Sequence, residues 1–204
     1  MPQRLLVVIG VALALALTVG LAKWSAGDGV AQALRASFSG APADWLARLA
    51  QDETQVACSR YRNAPPKAVA DAIMAREKAS IVYPAGGVLN GDWRRGEAIA
   101  KSGYGGRYTD VPARADNGGN CYACHQLDPR ELSYGTLGPS LAGYGRQRVL
   151  APADMAAIYE RIYNPQAAVA CANMPRLGAN AFLTIDQIRD LVAYVMSPES
   201  PVNR

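Results

Sequence analysis

The sequence has little of several residue types on which common binding sites depend. It contains one histidine and two phenylalanines in 204 residues, and only 19% of its residues are charged. A single histidine means that no metal ion can have two histidine ligands from this chain. No block of lysine and arginine is dense enough to indicate nucleic-acid binding, and the net charge of +4 is mild. Half of the residues are hydrophobic, which indicates a folded globular protein.

Charge is also absent from a long stretch near the N-terminus. Between Arg4 and Lys23, residues 5–22 carry no charged side chain. The basic start, the apolar run and the small residues at its end predict a Sec signal peptide at residues 1–22 and a periplasmic protein. An uncleaved membrane anchor is the alternative, because about 18 mostly apolar residues almost span a bilayer.

The rest of the chain predicts an all-α protein with an N-terminal, partly helical extension at residues 23–90 and a second domain at residues 91–204. The start of the extension, to about residue 43, is rich in Ala, Gly and Ser and predicts a flexible lead-in. Helices are predicted over residues 44–51, 67–78, 92–101 and 153–163, with a last one that begins at a capping box formed by Thr184 and Gln187. We expect the extension to pack onto the second domain.

Gly96 lies inside the helix predicted for residues 92–101, where glycine costs about 1 kcal/mol relative to alanine. One explanation is that the helix simply tolerates this cost; we favour the other, a close crossing with another helix. The partner would be the last helix, whose apolar residues recur at helical spacing.

Residues 121–125 read Cys-Tyr-Ala-Cys-His, the pattern of covalent attachment of a c-type haem. In one turn of helix Cys121, Cys124 and His125 share a face. Two thiols can then add to the two haem vinyl groups while the imidazole ligates the iron. We therefore predict one covalently bound haem c.

Two other readings of this motif are weaker. A thioredoxin-like thiol pair requires a neighbouring βαβ pattern, which the sequence lacks. A zinc site requires a fourth ligand at suitable spacing, and Cys121, Cys124 and His125 have none nearby.

Because His125 is the only histidine, the second axial ligand of the iron has to come from another residue type. Methionine is the natural choice, since its thioether raises the reduction potential. Met74, Met155 and Met196 fall on predicted helices, where methionine usually fills the core. Met174 lies in a loop before Pro175, and we predict it as the ligand, with core packing as the alternative.

Two cysteines remain outside the motif, Cys58 and Cys171. In an exported protein an even remainder favours a disulfide, which would tie the extension to the loop before Met174. The alternative is two unpaired buried thiols.

The order of these features resembles the class I cytochrome c family. The resemblance rests on the helix through Gly96, residues 121–125, the loop Gly-Pro-Ser-Leu-Ala-Gly at residues 138–143, the Met174 loop and the capped last helix. In that family the loop proline accepts the histidine N–H through its carbonyl, a role that the resemblance assigns to Pro139.

A closer resemblance is to the SoxX family, the monohaem subunits of SoxAX cytochromes. It rests on GGNCYACHQL, SYGTLGPSLAGYG, ACANMPRLG and SPESPVN, and on CSRYRNAPP and YPAGGVLNGDWRRGEAIA in the extension. It covers residues 57–203. SoxAX, an L-cysteine S-thiosulfotransferase, joins thiosulfate to a cysteine of the SoxYZ carrier at a haem of the SoxA subunit. The resemblance implies a heterodimer with a dihaem or monohaem SoxA-like subunit, in which this chain accepts electrons and passes them to a small soluble cytochrome c.

No catalytic residues are predicted in this chain. The extension and the C-terminal SPVN segment are expected at the partner interface, because a minimal cytochrome lacks them. A free-standing periplasmic electron carrier is the main alternative function, and a gas-binding haem protein with an open sixth position is another. The extension argues against the free-standing carrier, which has no need of it. Met174 argues against the gas-binding protein, because a methionine ligand would fill the sixth position.

Overall fold

The computed structural model describes residues 29–30, 32–107, 109–110, 116–148 and 151–204. The predicted signal peptide, residues 1–22, lies outside the described residues. Within them the regular structure consists of α-helices and 3₁₀ turns without a strand, which confirms the all-α prediction. Over the same residues, we find no helix with the length and apolar character needed to cross a membrane.

The described residues divide into two compact units, one that ends at Ala50 and one that begins at Gln51. In the first unit, residues 29–30 and 32–37 are helical. The expectation of a flexible lead-in was therefore wrong for these residues. Alanine has the highest intrinsic helix propensity, so alanine-rich composition is compatible with a helix as well as with a linker.

The helix predicted for residues 44–51 is shorter than expected, Ala43–Ala47. Beyond Ala47 the amides of Arg48, Leu49 and Ala50 each bond to the carbonyl three residues earlier, at 3.1–3.2 Å. The chain therefore tightens into turns instead of continuing as an α-helix.

The second unit contains five α-helices among its described residues. They are α1 (Glu53–Arg60), α2 (Lys67–Ala79), α3 (Trp93–Lys101), α4 (Pro152–Tyr163) and α5 (Ile185–Met196). Single 3₁₀ turns lie at Ala85–Gly87, Cys121–Ala123, Gly145–Gln147, Pro165–Ala167 and Pro201–Asn203. The structure confirms the predictions of α2 to α5. Residues 51–90 of the predicted extension belong to the same compact unit as residues 91–204.

Helix α1 was not predicted. Its N-terminus is fixed by a capping box, in which the Asp52 carboxylate accepts from the Gln55 amide at 2.8 Å and the Gln55 side chain accepts from the Asp52 amide at 2.9 Å. Its sequence has no continuous apolar stripe, and the helix buries only Thr54 and Cys58.

Helices α3 and α5 cross in close contact at Gly96. A Cβ atom on Gly96 would lie 2.1 Å from the carbonyl oxygen of Asp190 and 2.7 Å from the Cβ of Tyr194, so only glycine fits. This confirms the predicted crossing. The buried Asp190 carboxylate also binds Arg95, with Nε–Oδ2 at 2.7 Å, and accepts the Asp92 amide at 2.7 Å.

The apolar face of α5 forms the centre of the core. Buried residues of this face pack with residues of α4; the set includes Ile188, Leu191, Val192 and Val195 with Ile158 and Ile162. The capping box of Thr184 and Gln187 begins α5 as predicted. Burial of this face helps to hold α4 against α5, since burial contributes about 25 cal/mol per Å² of apolar surface.

The C-terminal segment, residues 200–203, packs inside the unit. Val202 and Asn203 are 0% and 3% exposed. The Asn203 amide donates to the carbonyls of Val195 and Ser197, and its oxygen accepts from the Gly145 amide at 2.7 Å. The side chains of Val202 and Asn203 are therefore buried within the chain, and the expected role of this segment at a partner interface stays a prediction.

Candidate haem-binding site

The Cys-Tyr-Ala-Cys-His segment folds as a single helical turn. The amides of Cys124 and His125 both bond to the Cys121 carbonyl, at 3.0 and 2.9 Å. Before the turn, the Gly119 amide bonds to the carbonyl of Ile99 at 2.8 Å, which ties the motif to the end of α3. The turn therefore presents both thiols and the imidazole from one short segment with a fixed backbone.

The two thiols of the motif are not oxidised to a disulfide, and both residues are half-buried. Burial, with a smaller contribution from Cys124, raises the pKa of the Cys121 thiol to about 11, against a lowering by its own backbone. A reactive redox thiol has a lowered pKa, so this environment does not support the thioredoxin-like reading. Among the described residues no group of three His, Cys, Asp or Glu side chains is placed to hold a metal ion.

The imidazole of His125 is oriented by the loop that contains Pro139. The Pro139 carbonyl oxygen lies 2.7 Å from His125 Nδ1. A carbonyl only accepts hydrogen bonds, so Nδ1 carries a proton, and in the neutral ring Nε2 is then the nitrogen left to ligate a metal. The partner that the family resemblance implied for this histidine is thus at hydrogen-bonding distance.

The same loop is held against the motif by a ladder of backbone bonds. The amides of Gly135, Gly138 and Leu141 donate to the carbonyls of residues 122, 124 and 126, each at 2.8 or 2.9 Å. A Cβ atom on Gly138 would lie 2.2 Å from His125 Cε1, so a side chain at this position would displace the ring. The loop fixes both the rotation and the tautomer of the imidazole.

Met174 lies in the irregular segment between α4 and α5. It is half-buried and packs against the edge of the same hydrophobic core as Cys121. The other described methionines, Met74, Met155 and Met196, lie in α2, α4 and α5 as predicted. Among the described methionines, Met174 is therefore the one that lies outside a helix, while its role as a ligand stays a prediction.

Cys58 and Cys171 form a disulfide, with Cα atoms 5.5 Å apart. Both cysteines are buried, and with Ile73 of α2 they form a second, small hydrophobic cluster. The bridge joins α1 to the segment that carries Met174. The predicted pairing is present, and its alternative of two free thiols is excluded.

Replacing Cys58 and Cys171 together by alanine is expected to lower the free energy of unfolding by about 2–5 kcal/mol. The bridge links residues 113 positions apart, so its loss releases a large loop in the unfolded chain. Denaturant unfolding of the purified protein measures the change. Reductant added to the wild type is the matched control and should give a similar loss, whereas an unchanged midpoint in both would contradict a stabilising role.

The residues of this site fit a covalently bound haem c. Two unpaired thiols and one imidazole with a free Nε2 lie on one turn, which is the donor set that haem c requires. A Cβ atom on Gly119 would lie 3.0 Å from Cys121 Sγ, so glycine at this position keeps space beside the thiol. Fold and site together define a c-type cytochrome.

Comparison with known proteins agrees with this class. The Cytochrome c family model matches residues 113–198. An "Uncharacterized lipoprotein" of Aquifex aeolicus (strain VF5) is 44% identical over 158 residues, which are 76% of this chain and 74% of that protein. Residues 113–198 are therefore a cytochrome c domain, which implies covalently bound haem c and supports a role in electron transfer.

Proposed function

We propose that this chain is the monohaem electron-transfer subunit of a SoxAX-type complex, which couples thiosulfate oxidatively to a cysteine of the SoxYZ carrier. The observation that carries the proposal is the resemblance over residues 57–203, which includes the extension. A minimal cytochrome does not need α1 and α2, and here these helices pack into the same compact unit as the haem-binding residues.

The residues have defined roles in this proposal. Cys121 and Cys124 would attach one haem, His125 and Met174 would ligate its iron, and the Pro139 carbonyl keeps the His125 ring oriented. When bound, haem c supplies a carrier for one electron at a time. The single Cys-x-x-Cys-His motif and the single histidine support one haem per chain.

The chemical step belongs to the partner in this proposal. Joining thiosulfate to a cysteine thiol forms a sulfur–sulfur bond, releases one proton from the thiol and yields two electrons. In this chain the cysteines outside the haem motif are both in a disulfide, so neither provides a thiolate. A SoxA-like dihaem or monohaem subunit would carry out this step, and a small soluble cytochrome c would accept the electrons.

Exposed apolar side chains beside the motif support a protein partner at this face. Leu132 is fully exposed, Leu137 is 87% exposed, and Tyr122 and Tyr134 are also exposed. The bond from the Gly135 amide to the Tyr122 carbonyl brings the two stretches together. Exposed apolar groups on neighbouring stretches of chain are typical of interaction sites.

A free-standing periplasmic electron carrier is the second candidate, and it uses the same haem-binding residues. Both candidates place the protein outside the cytoplasm, as the apolar stretch at residues 5–22 predicts. The lipoprotein name of the Aquifex aeolicus relative is compatible with this compartment. No cysteine precedes Cys58 in this sequence, so a lipid thioether near residue 22 has no attachment point here.

Reconstitution of thiosulfate-dependent haem reduction tests the proposed function. The oxidised chain, SoxYZ and thiosulfate are mixed with and without the co-expressed SoxA-like subunit, and haem reduction is followed by absorbance. We expect reduction only with the SoxA-like subunit, and we expect the two subunits to co-purify.

Dithionite is the control, because it should reduce the haem in both mixtures. Full-rate reduction without the SoxA-like subunit would make the chain a self-sufficient enzyme. No reduction in either mixture, together with no co-purification, would favour the free-standing carrier.

A further inference from the structure

The segment between α4 and α5 is attached to α1 and α2 at three points. At its start Asn164 donates to the Glu77 carboxylate of α2 at 2.7 Å. In its middle Cys171 is bonded to Cys58 of α1. Further along, Arg176, two residues after Met174, forms ion pairs with Asp52, the N-cap of α1, and with Glu77 of α2.

Arg176 is largely buried, since only 11% of its side chain is exposed. One of its terminal nitrogens contacts the carboxylate of Asp52, the residue that caps α1. The other lies 3.6 Å from Glu77 Oε2 in α2. A guanidinium is planar and carries several donors in fixed directions, so it can bridge two carboxylates on two helices.

The Glu77 carboxylate is held in place by other groups besides Arg176. Glu77 is buried and also accepts from Thr54 and Asn164. Burial raises the pKa of Glu77, but these hydrogen bonds and the charges of Arg176 and Arg76 lower it by more. The pKa of Glu77 therefore lies below its usual value, and the group is ionised at neutral pH. A buried carboxylate with several fixed donors makes a rigid anchor for Arg176.

The backbone near Met174 is in a conformation that needs such support. Cys171 has a φ of +60°, in the left-handed region that residues with a Cβ rarely adopt. Conformations of this kind persist where the surroundings hold them in place. With the disulfide on one side of Met174 and Arg176 on the other, the segment has little freedom to move its methionine.

We propose that Arg176 is a positioning residue, which holds the Met174 loop by bridging Asp52 and Glu77. This inference rests on the proposed role of Met174 as the second axial ligand. It assigns the extension a function inside this chain, separate from any role in binding a partner.

Imidazole affinity of the ferric protein tests the inference, because free imidazole competes with Met174 for the iron. We expect Arg176→Gln to raise the affinity about tenfold, and Asp52→Asn to raise it about threefold, since each removes a charged hydrogen bond that holds the loop. Asparagine still caps a helix, so Asp52→Asn leaves α1 intact. Arg176→Lys keeps the charge without the planar fork and should lie between Arg176→Gln and the wild type.

The two charge changes separate positioning from simple electrostatics. Arg176→Gln removes a positive charge and Asp52→Asn removes a negative one, so a purely electrostatic effect on the iron would have opposite signs. A loosened loop raises the affinity in both variants. Lys67→Gln is the matched control, because Lys67 forms an exposed ion pair with Asp71 on α2, at 2.6 Å, and should stay within about twofold of the wild type.

The outcomes distinguish the two levels of the proposal. If Met174→Ala raises the affinity strongly but Arg176→Gln and Asp52→Asn match the wild type or shift in opposite directions, the positioning role is overturned while Met174 remains the ligand. If Met174→Ala itself leaves the affinity unchanged, the ligand assignment fails, and the inference fails with it.

Discussion

Replacement of both motif cysteines, Cys121→Ala with Cys124→Ala, is expected to abolish covalent attachment of haem. The two thiols lie on one turn and are not paired with each other, so each is free to form one thioether bond. No other cysteine can substitute, because Cys58 and Cys171 are bonded to each other. The wild type should keep one haem per chain through denaturation and acid-acetone extraction, and the double variant should release all of it.

The single variants provide the control for this result. Cys121→Ala and Cys124→Ala each leave one thiol, and each should keep its haem covalently bound through that thioether. Absorbance of the pyridine haemochrome, measured after denaturing gel filtration, gives the haem content per chain. Covalent haem in the double variant, or two haems per wild-type chain, would contradict the assignment of residues 121–125 as the attachment site.

Several features of the fold could be predicted from the sequence because their causes are local. The residues of the capping box at Thr184 and Gln187 lie three positions apart, and both its bonds are present. Gly96 lies inside a helix, where most other residues would be more favourable. A close crossing with another helix is a physical reason for glycine at this position. Lys67 follows two prolines, which end the preceding turn and begin α2.

Helix α1 was missed because its main signal is polar. It buries Thr54 and Cys58 and has no apolar stripe for periodicity to detect. The Asp52–Gln55 capping pair is a local signal that could have located it. The short helical stretch at residues 29–30 and 32–37 was missed because an alanine-rich composition does not distinguish a helix from a linker.

The bridge through Arg176 could not be predicted from sequence at all. Its contact with Asp52 joins residues 124 positions apart, and its Glu77 partner lies on another helix. Nothing in a run of residues around Met174 shows which distant carboxylates will meet the arginine. By contrast, the pairing of Cys58 and Cys171 followed from counting, because two cysteines remained after the haem motif.

Met174→Ala is expected to change the iron ligation more than any other methionine substitution. Loss of the thioether should open the sixth position, abolish the weak near-infrared sulfur-to-iron charge-transfer band of the ferric protein and lower the reduction potential. The drop should be on the order of 100 mV, since about 59 mV corresponds to a tenfold change in a one-electron equilibrium. Near-infrared absorption and redox titration measure the two effects.

Met155→Ala is the matched control for this substitution. Met155 and Met174 are both half-buried and pack against the same hydrophobic core, but Met155 lies in α4, and its backbone is held by helical hydrogen bonds. Both substitutions remove a half-buried methionine, so the cost to stability should be below the roughly 2–5 kcal/mol of a fully buried one. Only Met174→Ala should lose the band, since only Met174 is the proposed ligand. Comparison of the two variants therefore separates the loss of the ligand from the loss of stability. A band that persists in Met174→Ala and disappears in Met155→Ala would transfer the ligand role to α4.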